Sequence, residues 1–168
     1  MRSHLAQLNV ARLVAPLDDP RLAPFVEGLE HINGQADKAP GFVWRLVGEG
    51  SADATGLRPF GDDVIVNLTV WETLDALWDF TYRTDHLDYL RRRRDWFVRY
   101  GDAYTVAWWV PAGHRPSLDE AAARLALVRD NGPTPDAFTL RVPFPAAGDA
   151  SDRSPTGDPH SVPSENAL

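Results

Sequence analysis

The feature that most constrains the fold is the β-branched, apolar run Val64–Trp71. Its composition predicts a β-strand. Because successive side chains of a strand point to opposite faces, one face of this run is entirely aliphatic. The other face carries Ile65, Asn67, Thr69 and Trp71. An amide, a hydroxyl and an indole on one face of an apolar strand indicate the floor of a polar-lined pocket.

A second stretch, at residues 4–13, repeats this pattern. Leu8 and Val10 share its aliphatic face, whereas Gln7 and Asn9 share the other face. This strand therefore repeats the amide-bearing pattern of the Asn67 strand. We therefore name Gln7, Asn9 and Thr69 as ligand-binding residues.

The rest of the chain alternates between helical and extended patterns. Asp19-Pro20 predicts a helix start, since aspartate caps helices well and proline fits the first turn. The predicted strands are residues 4–13, 42–47, 64–71 and 104–110. The predicted helices are residues 20–36, 72–83, 87–100 and 117–130. A long loop is predicted at 48–63 and an extended segment at 138–145. The order of these elements predicts an α+β, ferredoxin-like two-layer sandwich, in which a four-stranded antiparallel sheet carries helices on one face.

Such a layout leaves the aliphatic face of the sheet without a cover. Symmetric dimers are the commonest oligomers, so we predict a homodimer that packs sheet against sheet through the open face. Residues 1–145 would form this one domain. The tail at 146–168, rich in Pro, Ser, Asp and Gly, is predicted to be disordered.

Composition excludes several classes of function. The net charge of −7 argues against nucleic-acid binding, which needs a basic surface. No apolar run approaches the roughly 20 residues that span a bilayer, and no signal-peptide pattern is present, so we expect no membrane partner and a cytoplasmic location. The absence of Cys excludes disulfides, thiolate metal sites and a Cys nucleophile. We predict no metal site and no cofactor.

Several short motifs resemble those of a known family. They are residues 4–9 (HLAQLN), 41–46 (GFVWRL), 58–63 (RPFGDD), Asn67 with 70–72 (VWE), and 108–116 (WWVPAGHRP). The chain resembles an uncharacterised bacterial domain-of-unknown-function family within the dimeric α/β-barrel superfamily, which includes antibiotic biosynthesis and haem-degrading monooxygenases. The resemblance runs from about residue 4 to 145 and implies a ferredoxin-like fold assembled as a dimeric α/β barrel.

The cofactor-independent monooxygenases of that superfamily use an Asn and a Trp four residues apart on a strand, with an Arg from a helix. Asn67 and Trp71 have this spacing. The resemblance implies that they orient and stabilise a substrate anion, which then passes an electron to oxygen. One residue of the run Arg91–Arg94 would hold the anion, and we name Arg91 and Arg94 as candidates.

Other candidates rest on residue chemistry. His86 is a candidate catalytic base because the usual histidine pKa is about 6.5, although it also fits a capping role. Arg45 lies within a strand and needs a partner, either an inward salt bridge or an anionic ligand. Trp78 and Tyr82 are candidate ligand contacts, with core packing as the alternative.

These residues predict a small-molecule tailoring enzyme, specifically a cofactor-independent monooxygenase that acts on an aromatic or polyketide-like substrate. Two alternatives stay open. One is a non-catalytic ligand-binding module that uses the same cavity. The other is a haem or metal protein: Asn9 matches the haem-degrading branch, but the matching Trp position falls near Phe80 and the matching His position falls within 90–94.

Overall fold

The structure is a computed structural model that describes residues 2–148. Its elements are β1 (Ser3–Leu13), a 3-10 turn (Pro20–Leu22), α1 (Ala23–Asp37), β2 (Phe42–Arg45), β3 (Val64–Trp71), α2 (Leu74–Arg83), α3 (His86–Arg91), α4 (Arg93–Trp96), β4 (Phe97–Val98), β5 (Thr105–Pro111) and α5 (Leu118–Asn131). The predicted disorder of the tail beyond residue 148 lies outside the described residues. Ala146 is 5% exposed, so the packed body extends past residue 145.

The strand β1 lies at the centre of an antiparallel sheet. β3 pairs along one side of β1 and β5 along the other, while β2 lies beyond β3. The short β4 pairs with the C-terminal end of β1, on the side that β5 also occupies. The order β2-β3-β1-β5, with helices between the strands, confirms the predicted α+β ferredoxin-like fold.

Local capping signals account for where three helical segments begin. The side chains of Asp19, Thr73 and Ser117 each accept a hydrogen bond from a backbone N–H two or three residues later, at 2.9–3.1 Å. Each bond satisfies a backbone donor that the first helical turn leaves free. The predicted start at residue 117 is therefore confirmed, and the helix of residues 74–83 begins after Thr73. Asp19 caps only the 3-10 turn, and α1 begins at Ala23, three residues later than the predicted start.

The segment after residue 86 differs from the single helix predicted for 87–100. The helix breaks at Arg92 (φ −92°, ψ 2°), and the backbone becomes extended at Phe97 (φ −126°, ψ 139°). Phe97 pairs with Leu13 of β1, and the preceding Trp96 is 1% exposed. Pairing with the central strand and burial of the indole outweigh the helical propensity of the arginine run.

The two faces of the sheet are covered by different parts of the same chain. Helices α1–α4 pack on the face that bears the amides. Helix α5 packs on the aliphatic face, so the prediction that all helices lie on one face is wrong for α5. The groups that cover the aliphatic face are Ala121, Leu125 and Val128 of α5 and Ala54, Leu57 and Phe60 of the 48–63 loop.

The aliphatic face is therefore not open to a partner. Leu8, Val10 and Val70 are each 0% exposed within a single chain. The reason given above for a sheet-on-sheet homodimer is wrong, because α5 and the 48–63 loop already bury the surface that a second copy was expected to cover. The homodimer itself stays a prediction.

None of the described helices is long and apolar enough to cross a membrane.

Two leucines of α5 can be used to test whether this helix covers the aliphatic face of the sheet. Leu125 is 1% exposed, whereas Leu127 is 38% exposed on the same helix. We expect Leu125→Ala to lower the free energy of unfolding by about 2–5 kcal/mol, because it leaves a cavity in the core. Leu127→Ala should cost about 0.5 kcal/mol or less. Urea denaturation followed by tryptophan fluorescence measures both, and equal effects would contradict the position of α5.

Candidate functional site

A polar band separates two apolar clusters on the face that α1–α4 cover. One cluster includes Trp71, and the other includes Trp96. Between them lie the cross-strand pairs Gln7–Thr69 and Asn9–Asn67. Amides gain little from contact with apolar helix side chains, since their polar atoms need hydrogen-bond partners. The helices do not close over the Asn9–Asn67 pair, and a cavity lies there.

This cavity has a volume of about 150 Å³ and lies between the sheet and helices α1, α3 and α4. Apolar and aromatic groups with a few convergent polar groups are typical of small-molecule sites. The lining side of α1 consists of Phe25, Gly28, Leu29, Ile32 and Asn33. The opposing wall consists of His86, Tyr89, Leu90, Arg93, Trp96 and Phe97. The floor is Asn9, Ala11, Ile65, Val66 and Asn67, and the remaining wall is Arg45, Leu46 and residues 53–55.

Asn9 and Asn67 are direct partners across β1 and β3. Oδ1 of Asn9 is buried and has no hydrogen-bond partner among residues 2–148. Asn67 is exposed even though it lies in the middle of a central strand. An unsatisfied buried acceptor costs on the order of 1–3 kcal/mol, which a ligand donor in the cavity would recover. The pair therefore offers amide donors and acceptors to a ligand.

His86 lines the same cavity at the start of α3. Its Nδ1 lies 3.2 Å from the carbonyl oxygen of Thr81, to which it donates, so the neutral ring carries its acceptor lone pair on Nε2. Desolvation by burial lowers the pKa of His86 below its usual 6.5, and the hydrogen bond to Thr81 offsets this only in part. The imidazole is neutral at pH 7, which is the form that accepts a proton.

Arg93 is the member of the arginine run that reaches the cavity. Its guanidinium lies over the ring of Tyr104, 4.2 Å from the centroid. Within the described part of the chain, no carboxylate forms an ion pair with it. The two predicted candidates do not line the cavity: Arg91 pairs with Asp88 at 3.4 Å, and Arg94 is exposed.

Arg45 lines the cavity with its charge already neutralised. Its Nε and Nη2 donate to the carboxylate of Asp37 at 2.8 and 3.2 Å. Its Nη1 donates to the carbonyl oxygen of Ala52 at 2.8 Å. Of the two predicted roles, the geometry matches the inward salt bridge. Arg45 thereby links the end of α1 to the 48–63 loop and holds residues 53–55 at the cavity wall.

Trp71 lies apart from the cavity. Its side chain packs against Phe42 and Phe80, with ring centroids 5.3 and 5.1 Å away. Its Nε1 donates to Oγ1 of Thr69 at 3.0 Å, so this N–H is already used within the protein. Four residues along a strand span about 13 Å, which separates the indole from Asn67.

Gln7 and Thr69 lie in the row of the sheet next to the Asn9–Asn67 pair. Oγ1 of Thr69 donates to Oε1 of Gln7 at 3.4 Å. Nε2 of Gln7 in turn donates to Oγ1 of Thr105 at 3.2 Å. This chain of hydrogen bonds crosses β3, β1 and β5. It uses the polar atoms of Gln7 and Thr69 within the sheet and supports the floor of the cavity.

Trp78 and Tyr82 pack on each other, with ring centroids 4.5 Å apart, and neither lines the cavity. Residues 2–148 contain no group of three or more His, Cys, Asp or Glu that could hold a metal ion. Of the residues predicted from sequence, the structure brings together Asn9, Arg45, Asn67 and His86 at one cavity.

Tyr89 was not among the residues predicted from the sequence, and within the run Arg91–Arg94 the named candidates were Arg91 and Arg94 rather than Arg93. Counted from His86, Tyr89 and Arg93 lie at i+3 and i+7, and Leu90 lies at i+4. Residues at this spacing share one side of a helix. Once His86 was assigned to the pocket, this spacing therefore indicated that Tyr89 and Arg93 lie on the same side as His86. The helix break at Arg92 does not change that placement.

The strand order and the position of the cavity define a ferredoxin-like α+β protein with a cavity between sheet and helices. A family model described as a domain of unknown function, DUF3291, matches residues 4–154. The chain belongs to this family, which confirms the resemblance to an uncharacterised domain family.

Solved structures give more distant matches. The cofactor-independent oxygenase SnoaB from Streptomyces nogalater is 17% identical, with 70% of this chain and 99% of that chain covered and a TM-score of 0.45. A protein from Chloroflexus aurantiacus J-10-fl, provisionally described as an antibiotic biosynthesis monooxygenase, is 17% identical over 67% and 97% of the two chains, with a TM-score of 0.42. MupZ from Pseudomonas fluorescens is 10% identical over 97% and 100%, with a TM-score of 0.40. No curated protein matches the chain. At these values the likeness assigns no activity.

The lowered pKa of His86 predicts a pH-dependent stability. Below about pH 6.5 the unfolded chain binds a proton on this imidazole more readily than the folded chain does. The free energy of unfolding should therefore fall as the pH drops from 6.5 towards the folded-state pKa, by at most about 1.4 kcal/mol per pH unit. His86→Gln removes this contribution. Urea denaturation at about pH 7.5 and about pH 5.5 should show a smaller difference for the variant, and an unchanged difference would contradict the assignment.

Proposed function

We propose that this protein is an enzyme that oxygenates a phenolic aromatic compound without a metal or an organic cofactor. One observation carries the proposal. The Asn9–Asn67 amide pair, whose side-chain N–H groups can donate hydrogen bonds, lines the same cavity as a histidine that is neutral at pH 7. A site that offers a base and hydrogen-bond donors together suits a substrate that must become an anion to react.

The first step is loss of the phenolic proton to Nε2 of His86. The hydrogen bond from Nδ1 to the carbonyl of Thr81 fixes the tautomer and the ring orientation. It also stabilises the imidazolium once the proton arrives. A base with a pKa near or below neutrality is unprotonated at the working pH and so is ready to act.

The second requirement is stabilisation of the phenolate. The amide N–H groups of Asn9 and Asn67 can donate to its oxygen, and the guanidinium of Arg93 adds a positive charge that no described carboxylate neutralises. Donors held in place before the reaction stabilise developing charge better than mobile water does. The aromatic side chains of Phe25, Tyr89 and Trp96 provide apolar surface for the substrate ring.

The phenolate then gives an electron to dioxygen, and the two radicals combine at the carbon opposite the oxygen. One oxygen atom stays on that carbon, which loses its hydrogen as a proton. The other oxygen atom leaves as water with this proton and the one held by His86, so a phenol and one dioxygen become a quinone and one water. The substrate supplies all four electrons. The reaction as written therefore needs no other reductant.

Asn67→Ala tests the amide pair. With an electron-rich monocyclic phenol as substrate, we expect oxygen uptake of the wild type to be matched by quinone absorbance. Loss of one anion-stabilising donor should reduce kcat by about 100-fold or more. Asn131→Ala is a matched control because Asn131 is exposed at the end of α5, away from the cavity. Binding of phenols without oxygen uptake would favour the non-catalytic ligand-binding module, and absence of binding would contradict both.

Arg93→Gln and Arg94→Gln form a second matched pair. Both remove one positive charge from the same run, but only Arg93 lines the cavity. We expect Arg93→Gln to weaken binding of a phenolate inhibitor by about tenfold, the scale of a charge-assisted hydrogen bond, and Arg94→Gln to leave it unchanged. Calorimetric titration with 4-nitrophenolate measures both. Equal effects would mean that Arg93 acts only through the overall charge.

A further inference from the structure

The close approach of Tyr89 to helix α1 explains a glycine in the middle of that helix. Glycine is unfavourable within a helix, so a buried one at position 28 needs a reason. A Cβ built on Gly28 would overlap the hydroxyl and ring of Tyr89. Gly34, on the same helix, has nothing within 4 Å of its corresponding position. Of the two glycines of α1, only Gly28 lies where a Cβ would overlap a neighbouring side chain.

Tyr89 is held from two sides while it lines the cavity. The backbone of α1 at Gly28 lies against one side of the phenol. On another side the ring of Trp96 lies 5.7 Å away, tilted by 36°. Trp96 is itself 1% exposed and packs against Phe25 at 5.5 Å. Since its neighbours are buried, Tyr89 forms a fixed wall of the cavity.

The volume of the cavity sets the size of the group that it encloses. It measures about 150 Å³, and a protein cavity of about this size lined by apolar side chains holds one benzene ring. A second fused ring directed towards helices α1 and α3 would meet the Tyr89 side chain, which lines that side of the cavity. The polar end of the cavity is fixed by the Asn9–Asn67 pair, which belongs to the sheet.

We propose that Tyr89, seated against Gly28, is a specificity-determining residue that limits the ligands of this cavity to monocyclic phenols. The inference rests on the proposed function for the phenolic class, and it adds ring number as the selected property. Gly28 is a positioning residue that acts through Tyr89.

The experiment measures the dissociation constants of 2-methoxyphenol (one ring) and 1-naphthol (two rings) under nitrogen, so that binding is observed without turnover. For the wild type we expect the monocyclic phenol to bind at least about tenfold more tightly, the scale on which a hydrophobic pocket rejects an oversized group. Tyr89→Ala should reverse the preference. Gly28→Ala should weaken binding of the monocyclic phenol by about tenfold or more, because the new methyl group pushes Tyr89 into the cavity. Gly34→Ala should leave both dissociation constants within about twofold of the wild-type values.

Thermal unfolding of each variant separates binding from folding. If Gly28→Ala alone is unstable, the double variant Gly28→Ala/Tyr89→Ala should recover its Tm, because the overlapping ring is absent. The inference would be overturned if the wild type bound the two phenols equally, or if Tyr89→Ala left the ratio of the two dissociation constants unchanged. The proposed oxygenation would then still be tested separately by oxygen uptake. Failure of both phenols to bind any variant would overturn the inference and the proposed function together.

Discussion

The rest of the site depends on one constraint, the need to accommodate amides in the centre of a β-sheet face. Asn9 and Asn67 are in register across β1 and β3, between two apolar clusters. Apolar helix side chains cannot satisfy these groups, so the helices pack on the clusters at either end and leave a gap above the pair. The neighbouring Gln7 and Thr69 show the alternative outcome. Their polar atoms bond to each other and to Thr105 and need no ligand.

The opposite face of the sheet has a separate role, which is to supply the stable core. Its side chains are aliphatic, and α5 with the 48–63 loop covers them. The loop also connects the two faces, because Ala54 belongs to the aliphatic cluster and lines the cavity as well. Arg45 fixes this loop through Asp37 and Ala52. The position of one cavity wall is thus tied to the packing of the opposite face.

The sequence was informative where a local pattern decides the structure. Alternation predicted β1 and β3 and placed Asn9 and Asn67 each on the polar face of its strand, and capping side chains predicted helix starts. The sequence-based prediction failed where contacts between residues far apart in the chain decide the structure. Nothing local in residues 117–130 tells which face of the sheet the helix covers, and pairing of Phe97 with Leu13 ends the helix early. The spacing of Asn67 and Trp71 matched a known motif, but a hydrogen bond to Thr69 uses the indole N–H.

The overlap between a side chain at position 28 and the ring of Tyr89 also has a consequence for the order in which this site can accept substitutions. The two positions are coupled, so the order of substitution matters. A chain that first shortens Tyr89 can later accept a side chain at position 28, whereas the reverse order passes through a protein with a steric clash at its cavity. Substitutions that change the ring preference would therefore have to occur in one order, with Tyr89 replaced before Gly28.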